Sequence, residues 1–293
     1  MVKRSIFLTN PCRLSLRTQQ MVVENRETGE VRTVPIEDIG FVLVENQQAG
    51  FSIPLLNALS ENNCAVVFCN AQYMPVSMLM NLESNTVQAE TYKFQIEASL
   101  PLKKNLWKQL VEQKIANQAA LMNEIGEDGD KLKPLYLNVK SGDVDNREGV
   151  AAKIYWDSVF GNEFVRARYG GDPNPLLNYG YSILRAATAR ALMGSGLYPA
   201  FGLFHKNRYN AFPLADDMME PYRPYVDYLV VEMVQSGQKT LTIDTKQRLL
   251  SVLFMDVRFD DLTRPLQMGL SITTASLVRC LRGETKRLEL PHL

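Results

Sequence analysis

Histidine and cysteine are scarce in this chain, which contains two His and four Cys among its 293 residues. The cysteines, at positions 12, 64, 69 and 280, form no CxxC pair, so a zinc site built from paired thiolates is not expected. No run approaches the roughly 18 apolar residues of a membrane span, and the N-terminal apolar stretch is too short for a signal peptide. We therefore expect a cytoplasmic protein whose cysteines are reduced and buried.

The chain also lacks an excess of either charge, because 32 Lys and Arg balance 32 Asp and Glu. This balance excludes a protein that coats nucleic acid indiscriminately, which needs a strong positive excess. Charge is nevertheless segregated along the chain. Between Lys153 and Arg208 there are seven basic and three acidic residues. A local surplus of this kind is compatible with phosphate binding, although most single arginines in such a segment are salt-bridge partners on the surface.

The period of the apolar residues changes near position 84, from about two to between three and four. Residues 1–83 contain short alternating segments and an ETGE hairpin turn, which predict antiparallel strands, and one helix is expected at 53–62. Residues 84–293 are dominated by helical patterns. The sequence thus predicts a two-domain α+β protein, with a small N-terminal antiparallel β domain followed by a larger all-α domain.

The long helix predicted over residues 100–126 has one apolar stripe, which consists of Trp107, Leu110, Val111, Ile115, Leu121 and Met122. Four lysines fall largely off this stripe and are interpreted as a solvated face: Lys103, Lys104, Lys108 and Lys114. Another helix is predicted to begin near Arg147, with Asp145 or Asn146 as its N-cap. The remaining helices are predicted at 175–192, 215–235, 245–255 and 264–282.

His205 stands among apolar and aromatic residues and precedes an acidic cluster of Asp216, Asp217 and Glu220. Residues three or four apart share a helix face, so these carboxylates can converge. We choose Glu148 as the further carboxylate, from another helix. With the loop-borne imidazole of His205, these carboxylates form a set of oxygen and nitrogen ligands that suits Mn²⁺ or Mg²⁺. In the simpler interpretation, His205 is a hydrogen-bonded histidine at a helix end, and the acidic residues lie in first turns where the helix dipole favours them. Spacing and composition leave both interpretations open.

Three ordered segments carry a resemblance to a known family: REGVAAKIYW at 147–156, NPLLNYGYSIL at 174–184, and GLFH at 202–205 followed by FPLADDMMEPYRP at 212–224. Together they are similar to the CRISPR-associated integrase family, the catalytic subunit of spacer acquisition. The last segment is most similar to members from type II systems. The resemblance covers nearly the whole chain and includes the order of a β domain before a helical one.

The resemblance implies a metal-dependent DNA endonuclease and integrase whose catalytic domain is the helical one. Glu148, His205 and Glu220 match the family's catalytic and metal-binding residues, and the implied metal is Mn²⁺ or Mg²⁺. Because many relatives carry Asp at the third position, Asp216 or Asp217 stays open as an additional or alternative ligand. In the implied reaction, the 3′-hydroxyl of a DNA fragment attacks a phosphodiester at the edge of the CRISPR repeat, without a covalent enzyme intermediate.

The resemblance also implies the partners, which begin with DNA, both the fragment and the repeat duplex. The family works as a homodimer, through the N-terminal domain, and two dimers are bridged by a small ferredoxin-like subunit into a heterohexamer. A type II effector nuclease and a ring-shaped DNA-binding protein are further implied partners.

Two other interpretations of the sequence are disfavoured. A catalytically silent nucleic-acid-binding scaffold of the same fold is disfavoured by the intact Glu148, His205 and Glu220. An unrelated two-domain protein is disfavoured because three motifs match in order.

Overall fold

The computed structural model describes residues 3–205 and 207–293. The chain divides into two compact units, Met1–Thr86 and Val87–Leu293. The first unit is rich in strands and the second is mostly helical, which confirms the expected two-domain α+β class. None of the helices in the described residues combines the length and apolar character needed to cross a membrane.

The described part of the N-terminal unit consists of strands and one α-helix. They are β1 (Arg4–Leu8), β2 (Cys12–Arg17), β3 (Gln20–Asn25), β4 (Val31–Pro35), β5 (Ile39–Val44), β6 (Gly50–Phe51), α1 (Ile53–Glu61), β7 (Ala65–Cys69) and β8 (Pro75–Leu79). One sheet has the strand order β1-β5-β7-β8 and the other has the order β4-β3-β2-β6. Leu55 and Leu59 of α1 are fully buried in a core shared with residues of both sheets, such as Leu14 and Val42.

Only part of this unit has the antiparallel arrangement that the sequence predicts. Strands β2, β3 and β4 form an antiparallel meander. In the first sheet, β1 pairs in parallel with β5 and β5 with β7, whereas β8 is antiparallel to β7. In the second sheet, β6 pairs in parallel with β2, so both sheets are mixed. All six residues of β5, IGFVLV, are buried. A continuous apolar run of this kind is typical of a strand covered on both faces of a parallel sheet, rather than of a half-exposed antiparallel strand.

The described C-terminal unit is built from helices α2 (Gln88–Glu97), α3 (Leu100–Glu124), α4 (Lys133–Tyr136), α5 (Arg147–Phe160), α6 (Asn174–Gly194), α7 (Pro213–Met219), α8 (Arg223–Gln235), α9 (Ile243–Leu250) and α10 (Leu266–Leu281). Strands β9 (Asp256–Arg258) and β10 (Thr263–Pro265) form a short antiparallel ribbon. This ribbon is the departure from the all-α domain that the sequence predicts.

The 25-residue helix α3 runs through this unit and packs against α5, α8 and the 3₁₀ turn Glu220–Tyr222. Every residue of its predicted apolar stripe is buried. The C-terminal segment 286–293 runs back along α3, where Gln109 binds backbone groups of Lys286 and Leu288 and Asn117 binds those of Pro291 and Leu293.

The helix predicted at 215–235 is broken into three pieces: α7, the 3₁₀ turn and α8. Pro221 and Pro224 explain the break, because proline has no N–H to donate and its ring clashes with the preceding turn of an α-helix. Each proline is instead the second residue of a new helical segment, within the first turn, where proline is well tolerated. Glu220 consequently lies at a junction between helices rather than in the first turn of one long helix.

Candidate active site

Glu148 is held by the capped start of α5. The side-chain oxygen of Asn146 accepts a hydrogen bond from the N–H of Gly149 at 3.3 Å, which confirms Asn146 as one of the two predicted caps. The carboxylate of Asp143 accepts the N–H groups of Arg147 and Glu148 at 2.7 and 3.1 Å. These bonds satisfy donors that the first turn of a helix leaves free. They fix Glu148 at the second position of α5.

Glu220 is buried at the junction between α7 and α8. The carbonyl oxygen of the next residue, Pro221, accepts a hydrogen bond from Nδ2 of Asn117 on α3 at 2.7 Å. Nε of Arg223 lies 3.0 Å from Oε1 of Glu220, and the Arg223 guanidinium lies over the Tyr181 ring, 4.6 Å from its centroid. These contacts attach the junction to α3 and α6.

Lys114 of α3 joins the two glutamates. Its Nζ lies 2.5 Å from Oε1 of Glu148 and 2.6 Å from Oε2 of Glu220. The three side chains are 12%, 24% and 4% exposed, respectively, so water screens these ion pairs only weakly. One ammonium therefore brings together carboxylates from two separate elements.

The ion pairs keep Glu220 and Lys114 charged. Burial raises the pKa of Glu220, but the nearby Arg223 and Lys114 outweigh burial and lower that pKa to about 2. Burial lowers the pKa of Lys114, but the charges of Glu220 and Glu148 outweigh it and raise the pKa of the ammonium above its usual value. Glu220 is consequently a carboxylate and Lys114 an ammonium at neutral pH.

His205 is oriented by Asp217, whose side chain is fully buried. One Asp217 oxygen accepts the N–H groups of Leu203 and Phe204 at 2.6 and 3.1 Å, and the other lies 2.6 Å from Nδ1 of His205. The hydrogen bond to Asp217 raises the pKa of His205, against the opposing effect of burial. Because Asp217 engages Nδ1, the Nε2 atom of His205 is the ring nitrogen left to act as a ligand.

Two aromatic contacts attach the His205 loop to α3. The rings of Trp107 and Phe204 are stacked, with centroids 4.3 Å apart and planes inclined by 2°. The His205 ring meets the Trp107 ring edge-on, at 5.6 Å between centroids. Aromatic pairs in such arrangements contribute more than their buried area alone. Trp107 thus fixes the imidazole from one side while Asp217 fixes it from the other.

Asp216 has a different role from its neighbour Asp217. Its Oδ1 lies 2.8 Å from Nε of Arg185, and its Oδ2 accepts a hydrogen bond from Asn210 at 2.7 Å. Both carboxylate oxygens of Asp216 are therefore engaged away from the glutamates, and those of Asp217 are used to hold the His205 loop. This arrangement supports Glu220, rather than either aspartate, as the third ligand of a proposed metal.

The structure brings Glu148 and Glu220 to one cation and places His205 close enough that its charge affects the pKa of Glu220. Among residues 3–205 and 207–293, no three His, Cys, Asp or Glu side chains are arranged as a ready metal site. The donor set nevertheless fits a divalent ion. Oε2 of Glu220 is buried and accepts no hydrogen bond of regular geometry, although Lys114 lies beside it. Carboxylate oxygens and an imidazole nitrogen are the donors that Mn²⁺ accepts.

Lys114 is the residue of this site that the sequence interpretation missed. We expected a solvated lysine, whereas the side chain is buried between two glutamates. Helix phase contains the missing signal. Lys114 lies seven residues after Trp107 and seven before Leu121, two members of the apolar stripe, and residues seven apart face the same way on a helix. A lysine on a buried face requires a paired acid.

Four arginines between positions 153 and 208 fall into two groups. Arg166 donates to Asn174 and Asn178, and Arg185 pairs with Asp216, so these two arginines stabilise the fold. Two other arginines are exposed and lie against exposed tyrosines: Arg168 against Tyr169, and Arg208 against Tyr209. Lys206 lies outside the described residues.

An open cavity of about 470 Å³ lies beside His205, and Gln95, Phe201, Arg208 and Asn210 contribute to its walls. The exposed Arg208 thus borders the same space as the imidazole. Lys103 lines the same cavity, so two basic side chains border this space.

The fold and site together define a two-unit α+β protein whose helical unit holds a partly buried cluster of two glutamates, a lysine and a histidine. The profile of the family described as "CRISPR associated protein Cas1" matches residues 6–256. The chain belongs to this family, which confirms the resemblance found in its motifs.

Three comparisons illustrate the relationship. The CRISPR-associated endonuclease Cas1 of Neisseria meningitidis serogroup C (strain 8013) is 38% identical over 264 residues, which cover 89% of this chain and 86% of that protein. A structure described as a casposase bound to integration product has a TM-score of 0.80 at 18% identity, over 99% of this chain and 93% of that one. A chain of a Cas6-RT-Cas1–Cas2 complex has a TM-score of 0.74 at 18% identity, over 98% of this chain and 36% of that longer one. The two structures show likeness of fold.

Proposed function

We propose that this protein is a divalent-metal-dependent DNA endonuclease and integrase of CRISPR adaptive immunity, which inserts new spacer DNA into the CRISPR array. The observation that carries the proposal is the approach of Glu148 and Glu220 to a single cation, with the imidazole of His205 oriented beside them. Family membership supports the assignment, and so does the similar fold of a casposase bound to integration product.

Glu148, His205 and Glu220 are the proposed ligands of one Mn²⁺ or Mg²⁺. A bound ion of this type polarises a phosphodiester and lowers the pKa of an attacking hydroxyl or water. Asp217 holds Nδ1 of His205, so that Nε2 faces away from the loop backbone. Arg223 keeps Glu220 ionised and is itself held against Tyr181. These contacts fix the proposed ligands in place before any substrate arrives.

The proposed reaction is a direct transesterification. The 3′-hydroxyl of a DNA fragment attacks a phosphodiester at the repeat edge, and the 3′-oxygen of the repeat strand leaves. In phosphoryl transfer of this kind, catalysis comes from positioning and from electrostatic stabilisation of the transition state. With water in place of the 3′-hydroxyl, the same residues support cleavage of DNA.

The proposed DNA contacts are the exposed arginine and tyrosine pairs at 168–169 and 208–209. Arginines bind phosphates, and exposed aromatic rings stack on bases that are not paired. The cavity beside His205 adjoins the second pair, through Arg208. An anionic strand that contacts Arg208 is thereby led toward the imidazole, although the chain as a whole carries no net charge.

The further partners are proposed from the family. The N-terminal unit serves as the dimerisation domain of a homodimer, and a small ferredoxin-like subunit bridges two dimers in the cytoplasm. A solved Cas6-RT-Cas1–Cas2 complex contains a chain of the same fold, which supports an assembly of this kind.

A strand-joining assay tests the proposal. Purified protein, its small partner and Mn²⁺ or Mg²⁺ are expected to join fragment 3′ ends to a plasmid that carries the repeat. Glu148→Ala, His205→Ala and Glu220→Ala are each expected to lower joining by at least about a hundredfold, the scale of losing a group that acts on the transition state. Glu112→Ala, a change of a half-exposed acid on α3 that pairs with Lys108, is the matched control.

Joining at the wild-type rate in His205→Ala or Glu220→Ala would show that the site is wrongly assigned. Wild-type protein that binds DNA yet joins and cleaves nothing, with every component present, would support the silent scaffold instead.

A further inference from the structure

The ammonium of Lys114 fills the space between the two carboxylates that we assign to a metal. We propose that Lys114 is the resident cation of the metal-free site, which holds Glu148 and Glu220 together and which a divalent ion must displace in order to bind. This inference rests on the proposed function, because it takes Glu148 and Glu220 as metal ligands. It adds a role for a residue outside that ligand set.

The first argument is the need for a counter-ion. Glu148 and Glu220 belong to α5 and to the 3₁₀ turn, and each has an oxygen within 2.6 Å of the same Nζ atom. Two carboxylates that share a weakly screened site repel each other unless a cation lies between them. Lys114 supplies that cation, so the two carboxylates lie close together in the metal-free protein.

The second argument is exclusion. Mg²⁺ binds carboxylate oxygens at about 2.0–2.1 Å, which is shorter than the 2.5 and 2.6 Å that separate Nζ from the same oxygens. An ion that takes both oxygens as ligands needs the space that Nζ fills. Lys114 in its present position and a metal bridging the two glutamates are therefore mutually exclusive.

The third argument concerns which cation can move. Arg223 also pairs with Glu220, but through Oε1, and its guanidinium lies over the Tyr181 ring. A planar guanidinium in a stacked position is fixed by its geometry. Lys114 has a compact charge on a flexible four-carbon stem, and it touches Oε2 of Glu220 and Oε1 of Glu148. Lys114 is accordingly the cation that yields, while Arg223 remains beside Glu220.

The test measures metal binding and metal-free stability, not catalysis. Wild type, Lys114→Met, Lys108→Met and Arg223→Gln are freed of metal with a chelator, and their melting temperatures are compared. Mn²⁺ is then titrated into each protein, and free Mn²⁺ is followed by electron paramagnetic resonance. Lys108 is the matched control because it lies on the same helix and pairs only at 3.5 Å with half-exposed Glu112.

We expect Lys114→Met to melt at a lower temperature than wild type without metal, and to bind Mn²⁺ about tenfold more tightly, the effect of removing one competing ion pair. Its melting temperature is expected to rise more on saturation with Mn²⁺ than that of wild type. Lys108→Met is expected to match wild type in both measurements. Arg223→Gln is expected to change Mn²⁺ affinity less than Lys114→Met, because it removes a charge without opening the space between the glutamates.

Mn²⁺ affinity that is unchanged or weaker in Lys114→Met overturns the inference, and so does an equal gain in Arg223→Gln, which would reflect net charge alone. Should Lys114→Met not fold, Lys114→Gln provides the same comparison with a polar side chain of similar length. The proposed metal site itself is wrong if wild type binds no Mn²⁺, or if binding survives the double change of Glu148→Gln and Glu220→Gln. That result is distinguishable from metal binding that depends on both glutamates but ignores Lys114.

Discussion

Nδ1 of His205 lies 2.6 Å from Oδ1 of Asp217, a carboxylate that is fully buried. The same carboxylate also accepts backbone N–H groups from Leu203 and Phe204. One side chain thus fixes both the orientation of the imidazole and the path of the loop that carries it.

Asp217→Asn is expected to destabilise the protein by about 1–3 kcal/mol, because an amide NH₂ cannot accept the N–H groups that it would face. Strand joining is expected to fall by at least about tenfold, since the ring of His205 loses the partner that orients it. Thermal unfolding and the joining assay measure the two effects. The comparison is Asp216→Asn, which changes an acid paired with Arg185. The assigned roles would be contradicted if joining fell less in Asp217→Asn than in Asp216→Asn.

Asp227 is expected to make stability depend on pH. Burial raises its pKa to about 6, although hydrogen bonds from Tyr181 and Tyr155 act in the opposite direction. The folded protein therefore retains a proton that the unfolded chain releases near pH 4. Its stabilising effect is complete below about pH 4 and is lost as the pH rises through about 6. Asp227→Asn keeps a neutral side chain throughout, so its stability relative to wild type is expected to increase between pH 4.5 and 7.

Urea denaturation of Asp227→Asn and wild type at several pH values in this range measures that difference. A free-energy difference that is the same at pH 4.5 and pH 7 would show that Asp227 does not titrate there. Asp157→Asn, a change in the same helical unit at a half-exposed position, is a suitable reference.

Asn117 is expected to be essential for the junction that carries Glu220. Its buried amide donates to the carbonyl oxygens of Pro221 and Pro291, at 2.7 and 3.0 Å, and accepts the N–H of Leu293. Asn117→Leu leaves these buried groups without partners, which costs about 1–3 kcal/mol for a group of this kind. Thermal unfolding should show the loss, and the joining assay should show reduced activity because Pro221 follows Glu220. The control is Asn105→Leu, at an exposed position on the same helix, which is expected to leave stability and strand joining unchanged. Equal behaviour of the two variants would count against the role of Asn117.

Arg168 and Arg208 are expected to bind DNA through phosphates. Each change to alanine is expected to weaken DNA binding and to reduce the slope of log affinity against log salt by about 1. Fluorescence anisotropy with a labelled duplex over a range of salt concentrations measures the slope. Arg248→Ala, which removes an arginine paired with Glu232, serves as the control. A salt slope that neither Arg168→Ala nor Arg208→Ala alters would remove these residues from the interface.

Local signals in the sequence predicted much of the helical unit. The apolar stripe of α3 is buried as its period indicates, and Asn146 caps α5 through its side chain. All four cysteines are buried thiols outside any disulfide, as expected. These features depend on neighbours three or four residues away, so a single sequence contains the information that determines them.

Two of the features that were not predicted depend on distant parts of the chain. The parallel pairing of β1 with β5 requires a crossover connection, and adjacent alternating strands alone do not reveal it. The role of Lys114 depends on two acids from other elements, Glu148 and Glu220. The break at Pro221, by contrast, is indicated by the local sequence, because proline disrupts an α-helix. The acidic pattern around it was instead interpreted as the start of one continuous helix.

Helix α3 holds its buried contacts in a fixed rotational phase. It presents Trp107 to the His205 loop, Lys114 to the glutamates and Asn117 to Pro221, all from one uninterrupted run. Inserting one residue between Trp107 and Lys114 would turn everything after it by about 100° and advance it by about 1.5 Å. Every one of those later contacts would then be lost together. The span from 107 to 117 is therefore more sensitive to a change of length than to a change of any one of its side chains.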